Sequence, residues 1–278
     1  MDQVLTTKFV GELIGSFSLI AFGCGINMNL SLNKSYGAGN KAALSGPLAW
    51  GFAVAMSVII SSPFNSGGHF NPAVSLGLAV AGLFNWAYVL PYVLAQFIGC
   101  FLGAITVWFV YRGHFKATKD QPGTLLGVFA TSSSIRENNS VNNFSSEMLA
   151  TFFLVLIVSC MSSLPLGAAS VGEAAGTVGF GAIGALPAGF MIFTIGMAFG
   201  GITGWSLNPA RDLMPRLAHQ ILPIEGKGGS DWGYGFLYAS IAPLIGASIA
   251  GVLYGVIGGY FDESIREFVI STFSLTNF

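Results

Sequence analysis

Apolar residues fill this chain in long, nearly unbroken stretches, and polar stretches cut them into an order that occurs twice. Six of the apolar stretches predict membrane-spanning helices, at residues 9–28, 44–62, 86–110, 147–162, 182–199 and 234–260. Two shorter ones, residues 71–82 and 208–218, follow the second and fifth spans. At 1.5 Å per residue, a helix from Pro72 to Gly82 is roughly 16 Å long, about half of a ~30 Å hydrocarbon core. Lipid cannot satisfy irregular backbone, so a helix that stops halfway needs protein or a water-filled cavity around it. Two such segments in matching places predict a transport site where two repeats meet.

The polar stretches divide the chain. Residues 29–41 connect the first two spans, and Pro223, Glu225 and Lys227 precede the last. A Gly/Ala-rich connection reaches about residue 181. The long segment 112–145 carries Pro, Ser, Thr and Asn and no apolar run long enough to span. The expected organisation is one channel domain, with repeats at about 8–111 and 146–260, loop 112–145 between them and a tail at 261–278. Glu12-Leu13-Ile14-Gly15-Ser16-Phe17 matches Glu147-Met148-Leu149-Ala150-Thr151-Phe152, and Gln96 falls where Pro243 falls. Three spans per repeat insert the second upside down, so the half-helices enter from opposite faces with their N-termini facing.

Each half-helix opens on the same words. The first copy reads Ser66-Gly67-Gly68-His69-Phe70-Asn71-Pro72-Ala73, and the second Thr203-Gly204-Trp205-Ser206-Leu207-Asn208-Pro209-Ala210-Arg211-Asp212. Asn is a good N-cap and Pro suits the first helical position, so each copy predicts extended chain, cap and helix start. The Gly-containing approaches would expose backbone carbonyls, with Gly67, Gly68, His69, Phe70, Gly204, Trp205 and Ser206 as candidates.

Composition agrees with a membrane protein. Of 278 residues, 53% are hydrophobic and 8% charged, against about 25% charged in soluble domains. The net charge of −1 gives no basic patch for nucleic acid. Cys24, Cys100 and Cys160 lie in apolar spans without metal spacing and are expected to be small buried hydrophobes. Glu12 within the first span argues against a cleaved secretory signal. No nucleophile–base pair or metal cluster points to an enzyme, and no cofactor is expected.

With its paired Asn-Pro-Ala copies, the chain resembles the aquaporin superfamily from Glu12 to about Tyr260, and Asn-Pro-Ala-Arg-Asp resembles the glycerol-facilitator branch. The resemblance implies an all-α fold of six spanning helices and two re-entrant half-helices in inverted repeats. It also implies a homotetramer in the cell membrane with cytosolic termini. Gly99–Gly103 and Gly246–Gly251 are rich in small residues that permit close helix contact, within or between subunits. The Lys/Arg distribution points the other way: only Lys8 and Arg266 fall on the side given to the cytosol.

The same resemblance implies roles for single residues. Asn71 and Asn208 cap their helices and point amide N–H groups into a pore, where the converging dipoles repel cations. Glu12 and Glu147 accept backbone N–H groups of the re-entrant loops. His69 falls on the family's histidine, and a satisfied buried polar group is its plainer reading. Trp50, Gly196, Trp205 and Arg211 form the selectivity ring, Arg211 supplying donors. Asp212 either supports the site or pairs with its neighbour as a staple. Gly196 replaces the histidine of water channels, so the ring should pass more than water. Trp205 stands where facilitators have Phe, adding bulk and an indole donor. Glycerol and similar small uncharged solutes, with some water, are the expected cargo. A water-selective channel and a channel chiefly for dihydroxyacetone or undissociated lactic acid are the alternatives. An ion-coupled transporter lacks free titratable groups in the spans.

Overall fold

A computed structural model of the chain describes residues 3–39, 43–135, 139–163 and 181–258. The tail from 261, the connection 164–180, and Lys41, Arg136 and Arg266 lie outside the described residues. The long helices are α1 (Gln3–Ser31), α2 (Ser45–Ser61), α4 (Trp86–Ala117), α6 (Ser140–Ser163) and α7 (Leu186–Thr203). The half-helices are α3 (Pro72–Val80) and α8 (Pro209–Ile221), and a short α5 (Pro122–Gly127) interrupts the long loop. The last span is α9 (Trp232–Phe236), a π turn (Leu237–Ile241) and α10 (Ala242–Ile257). Pro243, which has no N–H for the α-helical ladder, follows that π turn. Among the described residues six helices are long and apolar enough to cross a membrane.

Several helices outrun their apolar stretches. α4 continues seven residues past 110, and α6 begins seven before 147. A helix satisfies its own backbone in water as in lipid, so it does not stop where the hydrocarbon does. His114 and Lys116 occupy the last turn of α4, where positive charge suits the helix dipole.

Packing follows the repeat. α1 lies on α4, α6 on α10, and α2 on α7 across the two halves. Each half-helix leans on the last span of the other half, α3 on α10 and α8 on α4. Glycine makes these approaches possible. A Cβ on Gly99 would sit 2.3 Å from the Leu13 carbonyl oxygen, and one on Gly246 2.0 Å from that of Met148. The small-residue stretches at 99–103 and 246–251 therefore make contacts within the chain.

The outside is apolar and part of the inside is polar. Leu90, Leu94, Ile98 and Leu102 line an exposed face of α4, and Ile241, Ile245 and Ile249 one of the last span. Glu12, Gln96, Glu147, Asp212 and Arg216 are fully buried. Cys24 and Cys100 are buried, but Cys160 is exposed, contrary to expectation. In a spanning helix the outward face is as apolar as the inward one, so an apolar neighbourhood does not place a residue inside.

Candidate functional site

The two half-helices meet end to end. Asn71 Oδ1 accepts from Ala73 N at 2.8 Å, and Asn208 Oδ1 from Ala210 N at 3.0 Å and Arg211 N at 3.1 Å. Pro72 and Pro209 begin the helices, and Ala73 and Ala210 supply the capped N–H groups. The amide nitrogens then cross over. Asn71 Nδ2 donates to the Leu207 carbonyl at 2.9 Å, and Asn208 Nδ2 to the Phe70 carbonyl at 2.8 Å. An amide NH₂ has two donors, so each Asn keeps one after its crossed bond. Both asparagines line the cavity between the halves.

Two carboxylates hold the approaching strands. Glu12 accepts from His69 N at 2.9 Å and Phe70 N at 2.8 Å, and Glu147 from Ser206 N at 2.8 Å and Leu207 N at 2.9 Å. These oxygens replace the partners that lipid lacks. Gln96 Nε2 donates to Glu12 at 2.8 Å; its repeat counterpart, Pro243, has no such group. The strands include Phe70, Trp205 and Leu207 at φ of 48°, 41° and 57°, in the left-handed region. His69 Nδ1 lies 3.0 Å from Ser75 Oγ, and its ring packs edge-on to Phe84 and Tyr92.

The cavity has a volume of about 410 Å³, and Val54, Val58, Leu154 and Ile192 are among the apolar residues of its wall. Gly67, Gly68, His69, Phe70, Trp205 and Ser206 line it, while Gly204 does not. Gly204 ends α7 at φ 80° and turns the chain back over its helix. The Phe70 carbonyl accepts from Asn208 with one lone pair and keeps a second.

Trp50, Trp205 and Arg211 come together on the cavity wall. The Arg211 guanidinium carbon lies 4.3 Å from the centroid of the Trp50 ring, and Nη1 donates to the Phe129 carbonyl at 3.3 Å. Trp50 Nε1 donates to Asn27 Oδ1 at 3.0 Å. Gly196 packs directly against Trp205 but does not itself line the cavity. It is buried behind Trp205, and a Cβ there would sit 3.0 Å from Trp205 Cε2. The space left by Gly196 is filled by the larger aromatic rather than open to the cavity.

Asp212 does not pair with adjacent Arg211. It binds Arg216, with Nη2 at 2.7 Å and Nε at 2.8 Å from Oδ1, one turn along α8. Its other oxygen accepts from Thr131 N at 2.8 Å and Thr131 Oγ1 at 2.7 Å. Arg216 also donates to the carbonyls of Thr131 and Ser230, at 2.8 and 2.7 Å. Arg216, Phe129, Thr131 and Asn27 were not anticipated from the sequence. The signal for the loop residues was the apolar run 125–130, too short to span but enough to bury Leu125, Val128, Phe129 and Ala130 against the half-helix.

Residues 2–254 match the family described as Major intrinsic protein. The chain is 43% identical to glycerol uptake facilitator protein 3 of Lactiplantibacillus plantarum, over 92% of this chain and 99% of that one. A D/L-lactic acid transporter of the same organism is 33% identical, over 90% and 98%. The X-ray structure of the aquaglyceroporin from Plasmodium falciparum superposes with a TM-score of 0.70 at 27% identity, covering 90% of this chain and 96% of that one.

Proposed function

The chain belongs to the major intrinsic protein family, and from that membership and the cavity geometry we propose a passive channel for glycerol and similar small uncharged solutes, with water passing too. The observation that carries this reading is the wall shared by Trp50, Trp205 and Arg211 beside the crossed asparagines. A polyol entering a narrow site loses its hydration and needs donors on one side and apolar surface for its carbons on the other. Arg211 and the free amide N–H groups of Asn71 and Asn208 supply donors to hydroxyl oxygens. Carbonyls of Gly67, Gly68, His69 and Ser206 offer acceptors, and the two indoles face the carbon chain.

Exclusion of cations has two sources in this reading. Each half-helix N-terminus carries roughly half a positive charge, and Arg211 adds a full one. Both oppose hydronium and metal cations, and the dipoles orient the oxygen of each passing molecule toward the asparagines. Glu12, Glu147 and Asp212 serve the structure, because their oxygens are occupied by loop N–H groups, Thr131 and Arg216. The termini face the cytosol, and four copies assemble in the membrane with one pore each.

Swelling of proteoliposomes tests the proposal with a panel of glycerol, dihydroxyacetone, urea, lactic acid and sorbitol. Glycerol should enter down its gradient and sorbitol should lag. Uphill accumulation driven by an imposed proton or sodium gradient would overturn the passive reading.

A further inference from the structure

Both tryptophans of the wall rest on glycines of neighbouring helices. A Cβ on Gly200 would lie 2.1 Å from Trp205 Cε3 and 2.5 Å from Cζ3, far inside contact distance. Gly196 lies one turn earlier on the same face of α7, under the other edge of the same indole. Trp50 repeats the arrangement on α1, where a Cβ on Gly23 would lie 2.2 Å from Cη2 and 2.5 Å from Cζ3. Gly23 and Gly200 do not line the cavity.

We propose that Gly200 and Gly23 are specificity-determining positioning residues, which set the width available to solute by letting each indole lie back against its helix. The inference rests on the reading of the cavity as a solute channel. The nearest atoms a methyl group meets at either position belong to an indole ring and not to backbone, so the ring is what has to shift. Behind Trp205 the way is closed by α7 and, beside Gly196, by Pro47, whose Cβ lies 3.2 Å from the Cβ position of Gly196. The cavity is the open side. Trp50 is held at its pyrrole edge by Asn27 and has Arg211 over its face, so displacement from Gly23 disturbs both contacts.

Paired measurements of glycerol and water flow in the same vesicles test this. Gly200→Ala should cut glycerol flow by about tenfold or more, the scale on which one methylene decides entry to a fitted pocket, while water flow changes much less. Gly23→Ala should act in the same direction. In a Trp205→Ala background, Gly200→Ala should leave the glycerol-to-water ratio unchanged, because the ring it displaces is gone. Equal loss of both flows, or the same loss with and without Trp205, overturns the proposal and makes Gly200 a packing residue. If Gly200→Ala alone fails to insert, recovery of insertion by the Trp205→Ala double variant supports the seat, and failure of both rejects it. Wild-type vesicles that pass water but no glycerol would sink the channel reading alone. The seat is then read from tryptophan emission, which Gly200→Ala should shift only while Trp205 is present; no shift rejects it.

Discussion

Arg211 and Arg216 lie five residues apart on one half-helix and face different surroundings. Arg211 reaches the cavity and lies over Trp50; Arg216 is sealed among Asp212, Thr131, Ser230 and the Tyr234 ring. The sequence made the first visible by its place three residues after Asn208. It hid the second, because adjacency of Arg211 and Asp212 suggested a pair that the helix geometry forbids: neighbours point apart, and residues four apart meet. Arg216→Met should leave the Asp212 carboxylate buried without its cation, at a cost of about 3–5 kcal/mol. The expected outcome is a clear fall in the Tm of the purified protein, partly recovered by adding Asp212→Asn. An unchanged Tm in the single variant would mean that the pair contributes nothing.

Among the elements, the spans were legible and their ends were not, since apolarity reports the hydrocarbon and not the hydrogen-bond ladder. The half-helices were legible because cap, proline and length agreed. The approaching strands owe their course to Glu12 and Glu147, whose matching places in the repeats were already apparent. The contribution of segment 128–131 was not: the apolar run that leads into it marks burial, and only tertiary contact with α8 shows what it packs against. Glu147→Gln should keep one acceptor oxygen and turn a donor toward the other loop N–H. One buried N–H then lacks a partner, at about 1–3 kcal/mol. The protein should still insert, with lower Tm and reduced solute flow, whereas Glu147→Ala should assemble poorly. Normal assembly and flow in both variants would show that the carboxylate does not hold the strand.

For the whole molecule, the inverted repeat was legible from two copies of one motif and three spans on each side. Which small-residue stripes close helices within the chain was not, because a stripe of glycines carries no address. The crossed asparagine bonds have a consequence in time. Asn71 and its acceptor on Leu207 are 136 residues apart in the chain, and Asn208 and Phe70 are 138 apart. At about 5–20 residues per second, synthesis of the intervening chain takes roughly 7–27 s. Throughout that interval the first half-helix exists without its counterpart, and Phe70 and Asn71 lack the partners that later seal them. The first re-entrant loop should therefore be a late-setting part of an early-made half. Ribosome-bound chains stopped before Leu207 should expose an Ala73→Cys thiol to a water-soluble reagent, in a background with the three native cysteines replaced by serine, because Ala73 packs in a cluster with Leu207, Ala247 and Ala250. Full-length chains should protect the same position, which is buried in the finished protein; equal protection in both would mean that the first loop sets without waiting for the second.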